Sequence, residues 1–134
     1  MIGSWDVVVC GGGPSGIMAS IAAARAGSRT LLIEQYGFLG GMATSALVGP
    51  ISKFNLKGQR IVSGLPEEFI NRMAEVKGAI VDLPSGNVPY DPEIYKLTAQ
   101  RMVLSEGVEM LVHTRVTDCI VDSSDKDRKS TRLN

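Results

Sequence analysis

The ten residues VVVCGGGPSG, at positions 7–16, place four glycines directly behind three valines. Glycine loses more conformational entropy on ordering than any other residue, so this cluster indicates a backbone that side chains must not obstruct. Gly11, Gly13 and Gly16 match the pattern G-x-G-x-x-G. The pattern alone is common, and its meaning depends on the elements that flank it.

The flanking sequence predicts a strand, a helix and a second strand. Residues 6–10 form a short continuous apolar run, which is typical of a strand buried on both faces. Residues 14–27 are rich in alanine, begin with a proline and end with a glycine, and they predict a helix. Residues 29–34 predict the second strand. Such a unit has parallel strands and a right-handed crossover, so the predicted fold class is α/β with a Rossmann-like parallel sheet.

An acidic residue at a set distance makes this unit a candidate dinucleotide-binding site. In such a loop the first glycine allows a tight turn, the second lets a pyrophosphate reach the backbone, and the third lets the helix pack on the sheet. The helix N-terminus favours phosphate oxygens, and Ser15 adds a hydroxyl donor. Glu34 closes the second strand, 23 positions after Gly11, where a carboxylate bonds the ribose of a bound adenosine. The same carboxylate disfavours a 2′-phosphate and therefore an NADP-type ligand.

The remainder of the chain predicts two more helices and two more strands. The first helix begins near Leu65 and ends at Gly78, and the second spans residues 91–107 with Asp91 as its N-cap. Residues 108–116 predict a third strand, and residues 118–121 predict a bend into a fourth. The residues expected to share the apolar faces of the two helices are Leu65, Phe69, Met73 and Val76 on the first, and Ile94, Leu97 and Leu104 on the second.

Several residues that can carry chemistry are interpreted as structural. Cys10 ends a strand and is expected to be a small buried side chain. His113 is the single histidine, expected on a strand as a partly buried structural residue, so no metal site is predicted. Tyr90, Asp91 and Glu93 are expected to form a loop end and a helix cap.

The composition excludes several classes of partner. The 134-residue chain is 44% hydrophobic and has 14 basic and 14 acidic residues, so no overall field attracts nucleic acid or acidic lipid. Its apolar stretches are too short for a membrane span, and its first residues show no secretory signal. Two distant cysteines fit a reducing compartment, so a cytoplasmic protein is expected. The expected partner is a small-molecule substrate, and no oligomeric state is assigned.

The last residues differ from the rest of the chain. Residues 122–134 carry seven charges and one apolar side chain, so we expect this segment to be disordered. Its end, DRKSTRLN, resembles translated sequencing-adaptor sequence. Our hypothesis is that the natural chain was cut between Asp122 and Asp127, so that residues 1–121 form the native part of a dinucleotide-binding domain.

Three segments carry a resemblance to a known family. Residues 6–27, 30–45 and 107–116 resemble the N-terminal FAD-binding region of glutathione-reductase-like flavoproteins. They are most similar to FAD-dependent oxidoreductases whose second strand runs into E-x-x-G-x-x-G-G-x-A-T. The resemblance spans about residues 5–121 and covers only the first part of a family member. It implies FAD as the cofactor and an incomplete FAD-binding domain.

The resemblance also implies roles for individual residues. Glu34 would hold the adenosine ribose, with Gln35 beside the adenine, and the main chain at Val116 would contact adenine. Gly40 and Gly41, with Met42 to Thr44, would line the pyrophosphate and ribityl side. Two residues depart from the family's pattern: Ser20 replaces an alanine, and Gln35 stands where a cation is frequent. The later G-D motif and the substrate domain do not occur in this chain. The predicted cofactor-binding residues are Gly11, Gly13, Pro14, Ser15, Gly16, Glu34, Gln35, Gly40, Gly41, Met42, Thr44 and Val116.

The predicted function is that of an FAD-dependent oxidoreductase in which the flavin accepts a hydride or an electron pair from an organic substrate. No catalytic side chain is assigned, because no base–nucleophile pair occurs at a recognisable spacing. Two alternatives remain open at this point. One is an NAD-binding dehydrogenase domain, and the other is a truncated dinucleotide-binding chain without catalysis.

Overall fold

The computed structural model describes residues 3–81 and 83–120. The predictions for residues 121–134 lie outside this range. The elements in chain order are β1 (Val7–Cys10), α1 (Pro14–Arg25), β2 (Thr30–Ile33), a 3₁₀ turn (Gly41–Ala43), β3 (Asn55–Leu56), β4 (Gln59–Arg60), α2 (Leu65–Glu75), α3 (Pro92–Ser105) and β5 (Glu109–Leu111).

The main sheet has three parallel strands in the order β1-β2-β5. Val8 pairs with Leu31 across the first ladder, and Leu32 pairs with Met110 across the second. The predicted β1-α1-β2 unit and the α/β class are confirmed. β3 and β4 form a separate two-residue antiparallel hairpin.

The two faces of the sheet differ in exposure. Val9 and Leu32 pack in the same core as Ile17 and Ile21 of α1, whereas Val8, on the opposite face, is 47% exposed. The prediction that β1 is buried on both faces is therefore wrong. The prediction of a buried Cys10 fails for the same reason, since its side chain alternates to the exposed side and the thiol is exposed.

α2 and α3 complete the core by packing on each other and on α1. Asp91 caps α3 as predicted, because its Oδ1 accepts hydrogen bonds from the N–H groups of Glu93 at 2.8 Å and Ile94 at 3.2 Å. The predicted apolar faces are partly wrong, because α3 packs against two helices and turns a different stripe inward. The buried stripe of α3 consists of Tyr95, Thr98, Ala99, Met102 and Val103, whereas Val76, Leu97 and Leu104 are 54%, 41% and 49% exposed.

One arginine joins the ends of the three helices. Arg25, the last residue of α1, pairs with Glu68 of α2 at 2.7 Å and with Glu106, after α3, at 2.6 Å. The hydrogen bond from Arg25 lowers the pKa of Glu68, and the pKa of Arg25 is raised by its bonds to Glu68 and Glu106. These groups are partly exposed, so the network adds only modest stability.

The chain after β5 departs from the predicted strands. His113 has φ of +53° and lies exposed in a bend, so the strand predicted over residues 108–116 is shorter and His113 is not a buried strand residue. Its imidazole covers Gly37, where an added Cβ would lie 2.7 Å from the ring. Residues 118–120, predicted to bend into a fourth strand, form no strand.

Candidate dinucleotide-binding site

The glycine loop joins β1 to α1 through a contact that only glycine permits. Gly11 has φ of +105°, and its N–H donates to the Ile33 carbonyl at 2.8 Å. A Cβ on Gly16 would lie 1.8 Å from the Gly11 carbonyl oxygen. Any side chain at position 16 would therefore push α1 away from the loop.

The space in front of α1 is open. Gly13 is the N-cap of the helix, and an added Cβ there would meet nothing within 4 Å. No side chain of the described residues caps this helix end, and the N–H groups of a first turn have no partner within their own helix. Pro14 and Ser15 are exposed beside it. The loop therefore fits a phosphate group, whose oxygens would meet free N–H groups and the positive end of the helix dipole.

The predicted ribose-binding acid lies against this loop. Glu34 is only 5% exposed, and its Oε2 accepts a hydrogen bond from the Gly12 N–H at 2.6 Å. Its Oε1 accepts from the Tyr36 N–H at 2.9 Å. Each carboxylate oxygen has a second lone pair, which leaves Glu34 able to accept from the hydroxyl groups of a sugar.

A cleft of about 220 Å³ opens beside Glu34. It brings together four of the predicted site residues, although they come from three separate segments. Sequence reasoning missed the other four, Cys10, Ile33, Thr114 and Arg115. They could have been found from the rule that the carboxyl ends of parallel strands meet at one edge of a sheet. The lining residues are Cys10, Gly11, Ile33, Glu34, Gln35, Thr114, Arg115 and Val116.

The second glycine pair packs directly on the first loop. The Gly40 N–H donates to the Gly12 carbonyl at 2.8 Å, and a Cβ on Gly41 would lie 3.0 Å from the Cα of Gly13. Met42 is 62% exposed at the same edge. The hydroxyl of Thr44 is buried and donates to the Leu39 carbonyl at 2.9 Å, so this side chain stabilises its own turn.

Other kinds of site receive no support from the geometry. Among the residues that the structure describes, no group of three or more His, Cys, Asp or Glu side chains is placed to hold a metal ion. In the same part of the chain, no helix has the length and apolar character required to cross a bilayer.

Residues 6–133 match the family model described as FAD dependent oxidoreductase. The chain belongs to this family. The resemblance to flavoproteins and FAD as the cofactor are thereby confirmed.

Relatives of known identity are similar to this chain over part of their length. It is 39% identical over 94 residues to dihydrolipoyl dehydrogenase 2, mitochondrial, of Arabidopsis thaliana, covering 69% of this chain and 18% of the relative. It is 43% identical over 84 residues to digeranylgeranylglycerophospholipid reductase of Methanocaldococcus jannaschii, covering 61% of this chain and 19% of the relative. The chain thus spans about a fifth of the length of these relatives.

Solved structures agree on the fold. L-proline dehydrogenase from P. horikoshii superposes with a TM-score of 0.63 at 14% identity, covering 92% of this chain and 48% of that one. The 3-ketosteroid-delta4-(5alpha)-dehydrogenase of Rhodococcus jostii RHA1 gives 0.60 at 20% identity, with 90% and 40% covered. At these identities the likeness supports the Rossmann-type architecture alone.

Proposed function

We propose that this chain binds the adenosine diphosphate half of FAD and that the protein oxidises a small organic substrate. The bound flavin would supply the chemistry by accepting a hydride or an electron pair. The observation that carries the proposal is the buried carboxylate of Glu34, bonded at 2.6 Å to the N–H of Gly12, directly beside the open helix end at Gly13.

In this proposal the glycine loop holds the pyrophosphate. Gly13 leaves the space for it, and the first-turn N–H groups, with the hydroxyl of Ser15, donate to its oxygens. Gly11 and Gly16 act indirectly by allowing the loop and helix to approach within a distance that no side chain tolerates. Pro14 supports the same role, because a proline at the first helical position sacrifices no hydrogen bond.

The cleft of 220 Å³ would hold the adenosine. Glu34 would accept from the ribose hydroxyls, since its oxygens retain free lone pairs, and it would repel a 2′-phosphate. The adenine would lie between Gln35 and the main chain at Val116. Arg115, the single cationic side chain that lines the cleft, would face the same ring.

The second glycine pair supports FAD rather than NAD as the ligand. Gly40 and Gly41 pack against the first glycine loop at Gly12 and Gly13. Met42 is then exposed at the edge of the loop, where the ribityl chain would extend from the pyrophosphate. A dinucleotide such as NAD requires no glycine pair at this position. Protein purified with bound FAD would be yellow, whereas an NAD-binding protein would be colourless.

The proposed partner is a small-molecule substrate, and the proposed location is the cytoplasm. The chain has equal numbers of acidic and basic residues, so it has no net positive charge that would attract nucleic acid. Cys10 and Cys119 are free and exposed, which suits a reducing compartment.

The experiment is a calorimetric titration of the chain with FAD and with ADP. In Gly13→Val the new side chain would occupy the phosphate space, so binding of both ligands should be lost. The matched control is Ala19→Val, which adds the same side chain at an exposed position of the same helix and should bind as the unmodified chain does. Retained binding in Gly13→Val would refute the proposed placement.

A further inference from the structure

We propose that His113 is a positioning residue for the cleft beside Glu34: it fixes the wall that the adenine would face without touching the nucleotide itself. The inference rests on the proposed function and adds a residue to it. His113 does not line the cleft, whereas the three residues that follow it, Thr114, Arg115 and Val116, all do.

The wall formed by residues 114–116 is held by main-chain contacts outside the sheet, since these residues belong to no strand. Two hydrogen bonds join this part of the chain to the segment that follows β2. The N–H of Thr114 donates to the Glu34 carbonyl at 3.0 Å, and the N–H of His113 donates to the Tyr36 carbonyl at 3.1 Å. The first of these bonds belongs to the wall itself, and the second belongs to the residue directly before it.

His113 is an extra residue in the pairing that continues from β2 and β5. The N–H of Glu34 donates to the Leu111 carbonyl at 2.9 Å. In a regular parallel ladder the Glu34 carbonyl would then accept from the N–H of residue 113, but here it accepts from Thr114. Because successive side chains alternate between two faces, one inserted residue reverses which of the following side chains point to a given face. His113 therefore determines how residues 114–116 face the cleft.

The backbone conformation of His113 fits this role. Its φ is +53°, in the left-handed region that non-glycine residues seldom adopt. A left-handed residue is one of the standard ways to fit an extra residue between paired segments. Such conformations persist only where the surrounding structure maintains them, and they are concentrated near functional sites.

The imidazole of His113 contacts the other side of the cleft. A Cβ on Gly37 would lie 2.7 Å from two atoms of the ring, so the ring fills the space beside this glycine. The neighbouring Tyr36 accepts from the His113 N–H through its carbonyl and donates its own N–H to the Glu34 Oε1 at 2.9 Å. His113 thus connects the segment that orients the Glu34 carboxylate to the wall on the opposite side.

The competing explanation is that His113 contributes only to the stability of the fold. The two explanations differ in their effect on the choice of base. In the proposed function the adenine lies against the main chain at Val116, while the pyrophosphate and the ribose are held at Gly13 and Glu34. A displaced wall should weaken ADP binding and leave UDP binding, with the same ribose and phosphates but a smaller base, nearly unchanged. A general loss of stability would weaken both.

The experiment measures the affinities of the chain for ADP and for UDP by calorimetry. We expect the unmodified chain to prefer ADP. In His113→Val the β-branched side chain disfavours the left-handed conformation, so the preference should fall at least about fivefold. Asparagine adopts this conformation more readily, so His113→Asn should keep the preference within about threefold of that of the unmodified chain.

The matched control is Lys77→Val. Lys77 is exposed after α2, has φ of +59° and does not line the cleft. The same side chain is thus introduced at another left-handed position, and the free energy of unfolding should fall by a similar amount. The preference for ADP should stay within about twofold, because the cleft is not affected. Equal loss of preference in the Lys77 and His113 variants would overturn the inference.

A second pair of variants tests the imidazole. The backbone of Gly37 lies outside the left-handed region, so Gly37→Ala adds only the contact with the ring and should weaken ADP binding by displacing it. In the His113→Asn background the shorter side chain leaves room for the new methyl group, so Gly37→Ala should have no further effect. An equal effect in both backgrounds would refute the role of the ring.

Hydrogen exchange provides a readout that requires no ligand. In His113→Val the N–H groups of Thr114 and Tyr36 should exchange faster, and those of the β1–β2 ladder should not. If exchange changes in this way but the unmodified chain binds no ADP, the proposed function is wrong. If ADP binds and His113→Val keeps the preference over UDP, the proposed function stands and the positioning role is wrong. Equal affinity of the unmodified chain for ADP and UDP would also refute that role.

Discussion

The cleft beside Glu34 and a larger apolar cavity both border the region where β1 meets α1, but they are built differently. The walls of the apolar cavity include Pro14, Met18, Met42, Val48 and Phe69. The cleft has a buried carboxylate, main-chain donors and one arginine on its walls, and it measures about 220 Å³. The cavity is about three times larger and has no charged wall residue. One has mainly polar walls, and the other has mainly apolar walls.

The difference reflects how each site is assembled from the sequence. The core of the cleft, from Gly11 to Glu34, lies within one β-α-β unit of about 30 residues. The cavity takes residues from α1, from the loop around Val48, from Phe54 near the hairpin, from α2 and from α3.

The mutation with the largest expected effect is Gly16→Ala, which should disrupt the glycine loop and the start of α1. In Gly16→Ala the Cβ would meet the Gly11 carbonyl oxygen at 1.8 Å, so the loop and α1 must separate. We expect the free energy of unfolding to fall by about 3 kcal/mol or more, at the upper end of overpacking effects, as measured by urea denaturation. Gly13→Ala is the control, since its Cβ meets open space, and an equal loss of stability in that variant would contradict the steric explanation.

The second mutation, Glu34→Ala, tests the carboxylate of the cleft. Glu34→Ala removes the carboxylate that we assign to the ribose, so ADP and FAD binding should weaken by about 1–3 kcal/mol. Calorimetry measures both affinities, and unchanged ADP binding would count against Glu34 as the ribose ligand.

Alkylation of the exposed cysteines can test where the nucleotide binds. Cys10 is exposed and lines the cleft, so saturating ADP should slow its alkylation by iodoacetamide about tenfold or more by excluding the reagent. Cys119 is exposed but does not line the cleft, and its rate should not change. Peptide mass spectrometry measures both rates in one sample, and equal protection of the two thiols would argue against a nucleotide in the cleft.

The mutation with the smallest expected effect is Arg25→Gln, which lies outside both sites. The pKa of Glu68 is lowered by its hydrogen bond from Arg25, so the pair stabilises the fold above the unfolded carboxyl pKa, and this stability is lost as the pH falls through the lower pKa of the folded state. We therefore expect Arg25→Gln to lower the melting temperature by a few degrees at pH 7, and this difference should shrink as the pH falls below the ordinary glutamate pKa and through the lower pKa of folded Glu68. Arg101→Gln, at an exposed position of α3, is the control, and a pH-independent difference for Arg25→Gln would contradict this origin.

The parts of the fold that could be predicted depend on contacts close in sequence. The β1-α1-β2 unit and the cap at Asp91 follow from periodicity and from local hydrogen bonding, and both are confirmed. The exposure of Cys10 and of Val76 could not be predicted, because it depends on which elements cover a given face. Residues 118–120 of the strand predicted at 118–121 form no strand, since strand formation requires a neighbouring strand and the local sequence does not specify one.

The sequence by itself determined the dinucleotide-binding unit, because a glycine loop, its helix and an acid at the end of the next strand are linked by local geometry. Only the tertiary structure decided that Gly40 would close on Gly12 and that Thr114 and Arg115 would reach the cleft. It also decided that apolar residues distant in sequence, such as Ile17, Phe54 and Phe69, would meet in one core. The physical reason is that spacing along a helix or strand fixes the directions of nearby side chains, whereas the meeting of separate segments depends on how whole elements pack.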